Sequence, residues 1–238
     1  MRRVGILGGM GPQATILLMQ KVLEAIPAED DADHIPLIVD QNPQVPSRIR
    51  HLIEGTGEDP APVLADMARR LVAGGATALA MPCNTAHHYL PAIRSAVGVP
   101  FLDMVELSVA QAARLVGDNR RVGILASPAV RKIGLFDERL ARIGIQTTYP
   151  GEEAAMLAAI RQIKTSGPGP EAFAILRAAS DELLQRGATV QMIACTEFSL
   201  VSGAPAAGAT AFDTLDVLVR AIKDYTMQPL APADRPKN

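Results

Sequence analysis

Short apolar runs rich in valine, isoleucine and leucine recur along the chain at 3–8, 35–40, 77–81, 99–102, 121–126, 145–148, 189–194 and 209–212. Each has the length and composition of a buried strand. Between them lie longer stretches of mixed polarity, near 13–26, 61–73, 86–96, 105–116, 135–142, 153–164, 171–186 and 214–226. Pro12, Pro60 and Pro170 stand near the starts of these stretches, and Gly74, Gly117, Gly144 and Gly187 near their ends. That is the punctuation expected of helices. Alternating strands and helices predict an α/β fold of parallel sheets covered by helices on both faces. Ligands of such sheets sit outside the carboxyl ends of the strands.

The pattern occurs twice. Residues 71–85 read LVAGGATALAMPCNT and residues 183–197 read LLQRGATVQMIACTE, which align without a gap at an offset of 112. The alignment matches Gly75 with Gly187, Ala76 with Ala188, Thr77 with Thr189 and Cys83 with Cys195. Each half also opens on Val-Gly-Ile-Leu, at 4–7 and 122–125, and each continues to a related stretch, GVPFLDMVE from 98 and GATAFDTLD from 208, sharing Asp103 and Asp213. The ordered series of matches predicts two similar domains related by a pseudo-twofold axis. Two segments fall outside the repeat. Residues 41–59, QNPQVPSRIRHLIEGTGED, form a long polar connection of the kind that carries function or mobility, and residues 228–238, rich in proline, are expected to be a disordered tail.

With 238 residues the chain can bury a substantial core. A formal charge of −2 gives no basic footprint for nucleic acid, and no apolar run is long enough for a membrane span. The N-terminus shows no secretory pattern, so cytoplasm is the expectation. Cys83 and Cys195 are the only cysteines. Matched placement argues for reduced, working thiols in a reducing compartment rather than a disulfide, and two are too few for a structural zinc site.

Two thiols at equivalent places, each just past a predicted strand, approach one cleft from opposite sides. Such a pair suits removing a proton from one face of a carbon and returning it to the other. A thiol titrates near 8.5, and a helix N-terminus lowers that value; Cys83 precedes a predicted helix and Cys195 a short polar turn, so both are expected to feel unpaired backbone N–H groups. Asn84, Thr85 and Thr196 follow the cysteines directly and offer small hydrogen-bonding groups for an anionic substrate group such as a carboxylate, or caps for the helices that begin there. Glu197 stands beside Cys195, where it suits a cationic substrate group, a proton relay or a backbone hydrogen bond. His87, four residues after Cys83, reads as a packing residue rather than a metal ligand.

GILGGMGPQAT at 5–15, NPQVPSR at 42–48, MPCNTAH at 81–87 and ACTE at 194–197 together resemble the aspartate/glutamate racemase family, in particular its cofactor-independent aspartate racemase branch. The resemblance runs from residue 3 to about 226. It implies an active site between two similar α/β domains, with the last strand and helix crossing back to the first, so that residues 1–104 plus 212–227 form one domain and 105–211 the other. It also implies a homodimer. By the same resemblance the activity is racemisation of an acidic amino acid, aspartate foremost, without pyridoxal phosphate or any other cofactor. Cys83 and Cys195 are then the two acid/base groups, Arg48 and Lys164 meet the side-chain carboxylate, and Met10 and Gln13 line the pocket.

The sequence departs from the family pattern in one loop, where Ser127-Pro128-Ala129-Val130 stands in place of frequent threonines. Val130 cannot donate a hydrogen bond, leaving Ser127 to take that role. Other readings stay open on the residues alone. Gly9-Met10-Gly11-Pro12-Gln13-Ala14 fits a dinucleotide-binding fingerprint, with Asp40 ending the next strand later than the usual spacing; an NAD-dependent oxidoreductase would leave the paired cysteines unexplained. A cysteine-dependent decarboxylase or isomerase, and a binding protein without turnover, are the remaining alternatives.

Overall fold

The computed structural model describes residues 1–228. In chain order the elements of the first half are β1 (Val4–Gly8), α1 (Pro12–Glu24), β2 (Leu37–Gln41), α2 (Ala61–Ala73), β3 (Ala78–Ala80), α3 (Leu90–Ala96), β4 (Phe101–Leu102) and α4 (Met104–Leu115). The second half follows with β5 (Arg121–Ala126), α5 (Pro128–Lys132), α6 (Asp137–Arg142), β6 (Gln146–Thr148), α7 (Glu153–Ser166), α8 (Pro170–Gln185), β7 (Val190–Ala194), β8 (Thr210–Asp213) and α9 (Thr214–Met227). Two four-stranded sheets result, ordered β2-β1-β3-β4 and β6-β5-β7-β8, with every pairing parallel. The central strands β1 and β7 are buried throughout, as expected of strands covered on both faces.

The duplication reaches into the packing. A Cβ on Gly5 would lie 2.8–3.0 Å from Leu79, Ala76 and Leu71. On Gly123 it would lie 2.8–3.3 Å from Leu183, Gln191 and Ala188, the matched set in the second half. In both halves the missing side chain lets a helix, α2 or α8, close onto the sheet. Each of these helices then ends at a matched glycine with positive φ, Gly75 at 96° and Gly187 at 78°. There the next amide turns back onto the helix, Ala76 to the Leu71 carbonyl and Ala188 to the Leu183 carbonyl.

The halves exchange helices. Helix α4 begins at the end of the first sheet yet packs Val105, Val109 and Ala112 against Val122, Ile124 and Phe136 of the second half. Helix α9 begins at the end of the second sheet yet packs Leu215, Leu218, Val219 and Ile222 with Val4, Ile6 and Leu18. Matched aspartates cap the two. Asp103 accepts the amides of Val105 and Glu106 at 3.1 and 3.2 Å, and Asp213 accepts that of Leu215 at 2.8 Å, a contact worth about 1 kcal/mol to a helix start.

Three expectations change. The last strand does not cross back: β8 pairs with β7 from Thr210 to Asp213, and only α9 returns to the first sheet. The helix predicted over 86–96 is a 3₁₀ turn, Thr85–Tyr89, followed by α3. Pro91 explains the break, because it lacks an N–H and is accommodated only in a first helical turn. The connection 41–59 contains a short π-helical turn, Arg50–Glu54, closed by Gly55 at φ 68°. Apart from Gln228, the tail expected at 228–238 lies outside the described residues. Among the described residues no helix is long and apolar enough to cross a membrane.

Candidate active site

Strands β3 and β7 are the equivalent inner strands of the two sheets, and each delivers a cysteine just beyond its carboxyl end. Cys83 and Cys195 are unbonded thiols, each 7% exposed, and both line one cavity of about 740 Å³. That volume lies in the range of about 300–1,000 Å³ usual for small-molecule sites. The turn from Gly9 to Gln13, including Met10, forms one wall. Gly9 has φ 90°, and a Cβ there would strike the Asn42 backbone at 2.4 Å, so the tight turn needs glycine. Its amide is held by the Thr15 hydroxyl at 2.9 Å. At Gly11 a Cβ would instead meet Glu197 Oε1 at 3.6 Å and Lys164 Nζ at 3.7 Å, which places this turn of the first half against groups of the second.

The Cys195 thiol donates to Glu197 Oε2 at 3.1 Å, and Lys164 ion-pairs with the other carboxylate oxygen. Burial first, and the neighbouring carboxylate second, push the Cys195 thiol well above its usual range. The Glu197 backbone N–H and Lys164 do act to lower it, as expected of a turn N-terminus, but burial and the Glu197 carboxylate outweigh them. Burial works against the charge of Lys164, but the Glu197 carboxylate and, more weakly, both thiols outweigh it and raise its pKa.

In the Cys83 loop a neutral residue stands where Glu197 stands beside Cys195. Thr85, which occupies the position matching Glu197, has its hydroxyl 3.3 Å from that of Ser127, and both line the cavity. The Cys83 carbonyl lies 2.9 Å from His87 Nδ1. Burial pushes His87 below its usual value, so the neutral ring donates Nδ1–H to that carbonyl and anchors the loop. Its Nε2 lies 3.9 Å from Asp103. The matching residue in the other half is Ser199, whose hydroxyl donates to Asp213 at 2.9 Å; burial raises the Asp213 carboxyl to about 7.

Two expected carboxylate ligands stand elsewhere. Asn84 and Thr196 are buried but do not line the cavity; the Asn84 amide donates to Thr214 Oγ1 at 3.0 Å, tying its loop to α9. Arg48 does line the cavity and also fastens its own loop, donating to the Val45 and Pro46 carbonyls at 3.2 and 2.9 Å. Sequence reasoning missed Arg50, Glu54 and Arg161, which line the same cavity. Asp40, which a dinucleotide site would use for a ribose, is occupied by Arg70 at 2.7 Å.

The family model for Asp/Glu/hydantoin racemases matches residues 7–222. The chain belongs to that family. It is an amino-acid racemase, an isomerase. Among similar proteins, the broad specificity amino-acid racemase RacX of Bacillus subtilis (strain 168) is 25% identical over 203 residues, 83% of this chain and 86% of RacX. Among solved structures, the Picrophilus torridus aspartate racemase superposes with a TM-score of 0.84 at 23% identity, covering 98% of each chain. An aspartate racemase homologue from Pyrococcus horikoshii OT3 gives 0.73 at 20% identity, covering 96% of this chain and all of that one. The two-sheet racemase fold expected from the sequence is thus the fold observed.

Proposed function

We propose that this racemase inverts an acidic amino acid, aspartate foremost, without pyridoxal phosphate, using Cys83 and Cys195 as acid and base on opposite faces of the α-carbon. The observation that carries the reading is that two thiols from matched positions line one cavity. One cysteine, as thiolate, takes the α-proton, and the electron pair of the broken C–H bond moves toward the α-carboxylate as an enolate. The other, as thiol, gives its proton to the opposite face. The thiols finish with their protonation exchanged, ready for the reverse direction. Each positioned acid or base contributes roughly 10²–10⁴-fold.

In this reading the Thr85 and Ser127 hydroxyls receive the α-carboxylate, where developing charge strengthens their hydrogen bonds. Met10 and Gln13 close the wall of the turn, and Asn84 and Thr196 back the cysteine loops. Glu197 faces the substrate amine and serves as a proton acceptor for Cys195, with Lys164 opposite. Arg48 receives the side-chain carboxylate through its planar fork. The resemblance of the motifs supports a cytoplasmic homodimer. The test is proton NMR of L-aspartate, D-aspartate, L-glutamate and D-glutamate in D₂O with reduced enzyme, paired with chiral chromatography. Loss of the α-proton signal with appearance of the opposite enantiomer is expected, fastest for aspartate. Unchanged α-proton signals with all four would sink the proposal.

A further inference from the structure

Four cationic side chains line the cavity, Arg48, Arg50, Arg161 and Lys164, against two carboxylates, Glu54 and Glu197. Both carboxylates are engaged on one side: Glu54 pairs with Arg161 at 3.3 Å, and Glu197 with Lys164. Arg48 and Arg50 have no carboxylate partner among the described residues. Arg48 gives one guanidinium nitrogen to carbonyls of its own loop, which holds the fork in place and leaves further donors free. The Arg50 side chain has no hydrogen-bond partner among the described residues. The uncompensated positive charge of the cavity therefore sits on one loop and not on α7.

That loop is pinned across the cavity. Lys132 of the second half donates to the Ile53 carbonyl at 3.0 Å, and Glu54 meets Arg161 at the end of the same turn. On the side of the first half, His51 bonds the Tyr89 hydroxyl at 2.7 Å. Arg50 opens the turn, just ahead of these fixings in the chain.

We infer that Arg50, with Arg48, forms a two-arginine clamp for the second carboxylate of a dicarboxylic amino acid and so determines substrate class. The inference rests on the racemase reading above. Lys164 shares its charge with Glu197 and contributes less to this recognition. Carboxylates favour guanidinium forks, and a second fork adds attraction that a neutral side chain in the substrate cannot use.

The experiment is calorimetric titration of L-aspartate, L-glutamate and L-alanine into wild type, Arg50→Gln and Arg50→Lys, with thermal unfolding to verify that the exposed substitution leaves the fold intact. Arg50→Gln is expected to weaken the better-bound acidic amino acid about tenfold, a modest effect because the site is open to water, with less than about a twofold change for alanine. Arg50→Lys should recover part of the loss. Unchanged acidic binding, an equal loss for alanine, or a wild type that binds acidic amino acids no better than alanine would each overturn the clamp. The α-proton exchange of wild type reads the racemase proposal separately. Absent exchange alongside Arg50-dependent binding would remove racemisation and leave the clamp standing.

Discussion

The neighbourhoods of Cys83 and Cys195 differ more than their matched positions suggest. Two residues past Cys83 stands Thr85, sharing a hydroxyl contact with Ser127; two residues past Cys195 stands Glu197, accepting the thiol proton and paired with Lys164. Four residues past the first is a buried neutral histidine, and past the second a serine bonded to a buried aspartate. Duplication has kept the backbone frame and the sulfur while the surrounding charges diverged. In the proposed mechanism a proton shuttle with two stations gains from such divergence, because one thiol must carry a proton and the other must not for either direction to start.

The largest effect should come from removing either station. Cys83→Ser and Cys195→Ser are each expected to lower inversion of aspartate by at least about 10³-fold. In D₂O each variant should retain slow α-proton exchange with one enantiomer only, and the two variants should favour opposite enantiomers. Chiral chromatography with NMR measures both quantities; residual exchange favouring the same enantiomer in both variants would contradict a two-faced arrangement.

Next in size is the charge beside Cys195. The two enantiomers of a free amino acid have equal energy, so kcat/KM must be the same in both directions at every pH. A bell-shaped profile of kcat/KM then reports one thiolate and one thiol in the free enzyme. With the Cys195 thiol raised by burial and by Glu197, activity should persist well above the usual thiol range before the proton of Cys195 is lost. Glu197→Gln removes the carboxylate that holds this proton. The alkaline limb of the profile should move to lower pH, with a fall in turnover of roughly tenfold. An alkaline limb that stays in place would show that burial alone sets the thiol.

The smallest comparison concerns the matched glycines. Gly5→Ala would bring three atoms within 3.0 Å, two of them Cβ atoms of Ala76 and Leu71 that cannot swing away. Gly123→Ala meets only one atom that close, the movable Leu183 Cδ1. Overpacking of this kind costs about 1–3 kcal/mol, and denaturant unfolding should place Gly5→Ala toward the upper end and Gly123→Ala toward the lower. Reversed order would mean that the second sheet and α8 are the less yielding pair.

The sequence was most legible where a residue type has a single physical use. The paired cysteines, the repeated Val-Gly-Ile-Leu strands and the glycines ending α2 and α8 each announce themselves, because strand burial and positive φ restrict what can stand there. Charged cavity residues carry no such signal. Arg50, Glu54 and Arg161 look like ordinary solvated residues in a chain, and only the folding of 43–54 across the cleft makes them neighbours. The pairing of Lys164 with Glu197 joins the end of α7 to the loop after β7, and no spacing rule links those positions. The fate of β8 was hidden for a related reason: four residues of strand fit either sheet, and the choice depends on the neighbouring edge rather than on the strand itself.

The exchange of α4 and α9 has a consequence for the order in which the protein comes into being. Leu215, Leu218, Val219 and Ile222 of α9 complete the core around Val4, Ile6 and Leu18 of the first half. Chains ordinarily acquire structure from the N-terminus as they are synthesised. Here the first half to be made lacks one of its walls until residues 214–227 have emerged. The second half, whose own covering helix α4 precedes it, has no such wait. The first half therefore completes its core last, and a chain interrupted before Thr214 would leave an apolar sheet face bare.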